Sequence, residues 1–171
     1  MSKLDSFMWW ANLEVYRGEM LFADGKGYSS GILRIPSKTE LNNYFIEAGL
    51  LGGYDPKAHW CGIFQTYLLK KAGIQCHWVI SKGIKIEDVS KQEIEESSGP
   101  AAMKDLAPGD IVVVKHHGHH IMVLEPTKSG SIKCIEGNAR GITSPTLGAY
   151  YTGNNLHNVV QEIQRRYRIL S

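Results

Sequence analysis

The feature that most constrains the fold is a change of hydrophobic period partway along the chain. Up to residue 73, apolar residues recur every three or four positions. Beyond residue 108 they come in short β-branched or alternating runs cut by Pro, Ser and Gly. Helices followed by an antiparallel sheet make an α+β arrangement. Leu4, Phe7, Met8, Ala11 and Val15 predict a helix over 3–17 that carries Trp9 and Trp10. GEMLFADGKGYSSG then reads as a turn-rich loop. A second helix opens after Ile35 and Pro36, with Ser37 and Glu40 as a capping box and Leu41, Tyr44, Phe45 and Ala48 as its buried face; Gly49, Gly52 and Gly53 end it. KAHWCGIFQTYLLKKAG, residues 57–73, is the third helix, amphipathic, with Lys70 and Lys71 in its last turn and Gly73 as the stop.

Cys76 to Ile80 reads as a short strand, and the polar stretch KGIKIEDVSKQEIEESSGPAAMKDL as loop with some helix. Pro108, Gly109 and Asp110 make a turn before Ile111, Val112, Val113 and Val114, a continuous run expected of a buried strand. HHIMVLE, SIKCIEG and VVQEIQRRYRIL supply further strands, with LGAYY as a short addition. No internal repeat is visible. At 171 residues, 43% hydrophobic and 21% charged, the whole chain is expected to be a single domain.

Cys61 sits at the front of the third helix and admits two readings. With Phe64 and Leu68 it shares an apolar stripe, where a thiol packs as a small hydrophobe. In the first turn it also faces unpaired backbone N–H groups and the positive end of the helix dipole, which favour a nucleophilic thiolate. A partner is available in HHGHH, residues 116–120, from which one histidine can serve as general base. On the strand after it, Glu136 and Asn138 lie two apart, and either can orient an imidazole. HHGHH also invites a metal reading, but a strand turns adjacent side chains to opposite faces and no further ligand set follows; neither metal nor cofactor is expected.

Together WCGIF, LLKKAGI, LAPGDIVVV, GHHIMVLE and CIEGN resemble the CHAP amidohydrolase/peptidase family and the related NlpC-type cell-wall peptidases. The resemblance runs from residue 54 to the end; residues 1–53 stand outside it as a helical N-terminal part. It implies a papain-like fold, Cys61 as nucleophile, His119 as its histidine, and Glu136 with Asn138 as the polar residues that orient it. It also implies cleavage of an amide bond in the peptidoglycan stem peptide. The backbone N–H of Cys61 would meet the oxyanion, with Tyr54 or His59 upstream as the further donor, and Trp60 would shield the thiolate or wall the substrate groove. Groove loops are expected over 18–34, 81–105 and 139–155. His116, His117 and His157 are left as structural or exposed, and Arg165, Arg166 and Arg168 as a solvated strand face.

A net charge of +2 does not suggest a nucleic-acid partner. No run approaches a membrane span, and the first residues lack the apolar core of a signal peptide. The expectation is synthesis in the cytoplasm and action in the periplasm or wall of a target bacterium. Delivery would be by a secretion system, with a cognate immunity protein as partner, or by a phage as a lysin. Three cysteines make no disulfide framework, although a Cys76–Cys134 bridge is open. The rival readings are a papain-like protease, deamidase or acyltransferase acting on a host protein, and an inert binding or metal-binding module.

Overall fold

A computed structural model describes residues 1–16, 21–22, 32–34, 36–114, 118–126, 132–139, 149–154 and 163–170. The architecture is α+β. Helices α1 (Lys3–Tyr16), α2 (Lys38–Glu47) and α3 (Cys61–Lys71) pack on one face of an eight-stranded antiparallel sheet. Its strands are β1 (Leu21–Phe22), β2 (Ile32–Arg34), β5 (Ile94–Ser98), β6 (Ile111–Val114), β7 (His119–Pro126), β8 (Ile132–Ala139), β9 (Ala149–Asn154) and β10 (Ile163–Ile169). They lie in the order β1-β2-β9-β8-β7-β6-β10-β5. A separate hairpin pairs β3 (Cys76–Val79) with β4 (Gly83–Ile86).

Side-chain alternation divides the sheet cleanly. Ile111, Val113, Met122, Ile135 and Tyr167 join Phe7, Tyr44, Phe64 and Leu68 in the core between sheet and helices. Val112, Val114, Ile121, Val123 and Cys134 form a second cluster on the opposite face, against Ala102, Met103 and Leu106. Both faces of β6 are therefore buried, which is why its sequence runs apolar without alternation.

Local signals explain the helix ends. Ser37 accepts the Glu40 N–H at 3.1 Å while Glu40 accepts the Ser37 N–H at 3.2 Å, the reciprocal cap foreseen in the sequence. Gly73, at φ +89°, lets the Ile74 N–H return to the Leu69 carbonyl at 3.0 Å and closes α3. The expected amphipathic character of α3 is not found, because every residue from Cys61 to Leu69 is buried. Helices α1 and α2, the sheet and the hairpin enclose it. One carboxylate ties the helical layer together. Buried Glu14 of α1 accepts the Tyr44 hydroxyl at 2.6 Å and the Tyr67 hydroxyl at 3.0 Å.

Three expectations need correction. The polar stretch after residue 81 is not mainly loop; it holds β4, β5 and two 3-10 turns, Asp88–Ser90 and Gly99–Met103. β5 reads as hydrophilic because it is an edge strand whose Glu95 and Glu96 pair with arginines of β10, Arg166 at 3.3 Å and Arg165 at 3.8 Å. The arginines themselves are not simply a solvated face. Arg166 is buried and donates to the Lys104 carbonyl, and Arg168 makes two 2.8 Å bonds to the buried Asp110 carboxylate. The third concerns the GEMLFADGKGYSSG loop, where Leu21 and Phe22 form a strand on β2. No disulfide forms, since Cys76 belongs to the helix-side core, Cys134 to the opposite cluster, and both are free thiols. Among the described residues no helix is long and apolar enough to cross a membrane.

Candidate active site

Cys61 is the first residue of α3, and the start of that helix carries no side-chain cap. The Trp60 side chain at the N-cap accepts no first-turn N–H, and an uncapped helix start of this kind draws negative charge. Cys61 is 5% exposed and so largely removed from water. His119 and His120 are the two side chains whose hydrogen bonding and charge favour its ionised form. As the first two residues of β7 they stand where that strand meets the start of α3.

Adjacent strand residues face opposite ways, and Met122 in the helix-side core with Ile121 in the other cluster assigns His120 to the helix side and His119 away from it. The thiol is therefore approached from two directions. His119 also reaches a carboxylate, with Nε2 at 3.4 Å from Glu136 Oε2. His120 donates from Nδ1 to the Gly118 carbonyl at 2.8 Å and meets the edge of the Trp78 ring at a centroid distance of 5.3 Å. Two glycines permit this packing. A Cβ at Gly62 would stand 2.2 Å from the Trp78 ring and 3.0 Å from His120 Nδ1, and one at Gly137 would stand 2.6 Å from Trp60.

Burial alone would raise the Cys61 thiol, but the hydrogen bonds of His119 and His120, reinforced by their charge, overturn it and hold the thiol at about 5. Burial likewise opposes the charge on His119, and the bonds to Cys61 and Glu136 outweigh it, pushing the imidazole up to about 10. Between those limits the stable form is a thiolate–imidazolium pair backed by a carboxylate. Cys76 shows the contrast: it is similarly buried, its hydrogen-bond partner among the described residues is the Thr66 carbonyl at 3.8 Å, and it is pushed up to about 12.

The structure brings Cys61, His119 and Glu136 together. Glu136 also accepts from the Cys134 thiol at 3.6 Å. Asn138 belongs to β8, but its side chain lies outside the described residues, as do His116, His117 and His157. Trp60 is corrected. Its ring is buried against Tyr44 and Phe64, so it walls no groove. Tyr54 packs edge-on against Phe45 at 5.5 Å and donates its backbone N–H to Asn42 Oδ1 at 3.1 Å, which ties it to α2 rather than to the thiol. His59 is exposed and lines a cavity of about 790 Å³ beside the start of α3. Trp78 lines the same cavity and is the component that the sequence did not indicate, whereas His120 stood among the HHGHH candidates without a role of its own. For His120 a signal existed, since of two adjacent strand histidines one must face the helix layer; for Trp78 nothing local marked it. No family model, curated protein or solved structure matches this chain.

Proposed function

We propose that the chain is a cysteine amide hydrolase with a papain-like arrangement of helix and sheet, and that its substrate is the stem peptide of peptidoglycan. The observation that carries the chemistry is the line Cys61, His119, Glu136, set at the start of an uncapped helix. In this reading the Cys61 thiolate attacks the amide carbonyl, a C–S bond forms, and the carbonyl pair moves onto oxygen, stabilised by the backbone N–H of Cys61. His119 gives its proton to the leaving nitrogen as the C–N bond breaks. It then takes a proton from the water that hydrolyses the thioester, and Glu136 steadies the imidazolium throughout. His120 supplies a second hydrogen bond to the thiolate.

Peptidoglycan as substrate rests on the motif resemblance, and with it the roles of secreted antibacterial toxin or phage lysin and the cognate immunity protein. The same chemistry on a protein substrate is the second reading, favoured by the apolar lining of the cavity at Trp78. Digestion of purified sacculi by the wild type and Cys61→Ala, with fragments read by mass spectrometry, tests the first. Cys61-dependent fragments identify the bond cut. Intact sacculi alongside a thiol that reacts at low pH would remove the wall from the proposal and leave a protein substrate.

A further inference from the structure

The cavity beside the start of α3 does not include Cys61, yet it shares a wall with the site. Trp78 forms part of its lining while the ring's edge meets His120, and His59 enters it from two positions before the nucleophile. Its volume of about 790 Å³ falls in the range of pockets that enclose small molecules, roughly 300–1,000 Å³. Ile63, Phe45 and Leu50 make the interior apolar. Two branched aliphatic side chains from different elements also line it, Leu51 after α2 and Ile80 at the tip of the β3–β4 hairpin, and they are 83% and 71% exposed. Single exposed aliphatics are ordinary; two converging on one cavity next to an activated thiol lose contact with water only when something apolar occupies the space between them.

Taking the cysteine hydrolase reading on a protein substrate as its basis, we infer that this cavity is the specificity subsite for a bulky apolar side chain carried beside the scissile amide, a group that the small and charged residues of a peptidoglycan stem peptide do not offer. Apolar burial is the physical source of selectivity here. The charged groups of the lining stand at its surface: Asp55 accepts the Lys57 N–H at 2.9 Å and both residues are exposed. A substrate bearing only small or charged groups at that position would leave the cavity unfilled.

The probes are N-substituted chloroacetamides, in which the Cys61 sulfur displaces chloride from the reactive carbon and the substituent on nitrogen samples the cavity. An N-methyl probe reports the thiol alone; a naphthyl series, with spacers of increasing length, reports the cavity. Rates of Cys61 alkylation are followed by intact mass. At least one naphthyl member is expected to react about tenfold or more faster than the N-methyl probe, the scale of one well-buried apolar group. Leu51→Ser and Ile80→Ser should shrink that ratio severalfold and leave the N-methyl rate unchanged, since both side chains are exposed and neither touches the thiol's partners. A ratio near one for every spacer would overturn the subsite whatever the N-methyl rate. A high ratio with an N-methyl rate no greater than that of an ordinary thiol would keep the subsite and remove the hydrolase.

Discussion

Alkylation of Cys61 by iodoacetamide as a function of pH turns the site's electrostatics into a rate. A thiol held at about 5 instead of the ordinary 9.0 is about 90% ionised at pH 6, against about 0.1%, a ratio of roughly 900. Part of that gain is lost because nucleophilicity falls with pKa at a slope of about 0.4–0.5, which over the same interval takes back about 40- to 100-fold. The net expectation is a rate at pH 6 roughly 10 to 20 times that of an unperturbed cysteine, with a midpoint near 5. Cys76, pushed up to about 12, is the internal control and should stay unlabelled across the same range. Peptide mapping after short exposures assigns each label. The sign also extends to the partner: Glu136 is among the groups that raise His119, so Glu136→Gln should lower the upper limit of the ion-pair plateau below about 10. A Cys61 midpoint at 8 or above would show that the two histidines do not stabilise the thiolate, and the proposed chemistry would lose its support.

Gly62→Ala places a methyl 2.2 Å from the Trp78 ring and should displace it from His120; a stability loss of about 1–3 kcal/mol is expected with a raised Cys61 midpoint, and an unchanged melt and midpoint would contradict the packing. Glu14→Leu leaves the Tyr44 and Tyr67 hydroxyls without this acceptor, at a cost of about 3 kcal/mol in urea unfolding; a change below about 0.5 kcal/mol would show that the carboxylate does not hold the helical layer together. Asp110→Ala removes the acceptor of two Arg168 bonds and of the Ala107 N–H, and should cost about 2–4 kcal/mol with no shift in the Cys61 midpoint.

The capping box at Ser37 and Glu40, the stop at Gly73 and the buried run at Ile111 were legible because each is a short-range signal whose physics is complete within a few residues. β5 was hidden for the opposite reason. Its glutamates become strand-compatible only beside the arginines of β10, some 70 positions later. The same divide runs through the site. Cys61 could be singled out from its own helix start, and His119 and Glu136 from consecutive strands that pair side by side. Trp78 could not, because its role comes from a hairpin folding over Gly62, and Trp60 looked like a groove wall only because its sequence neighbour is the nucleophile.

The β3–β4 hairpin is a sheet of its own, joined to the rest by few backbone bonds, among them the Trp78 N–H to the Ala48 carbonyl at 2.9 Å. Short two-stranded units of this kind open locally at lower free energy than the main sheet, so hydrogen exchange at Trp78 and Ile84 should be faster than at Val113 or Met122. Because Trp78 covers one side of His120, each such opening wets the imidazole and the thiolate while the eight-stranded sheet stays folded. The fraction of molecules in which Trp78 covers His120 is then set by a sub-global equilibrium, and the surroundings of Cys61 are expected to respond to temperature or denaturant before the unfolding transition is reached.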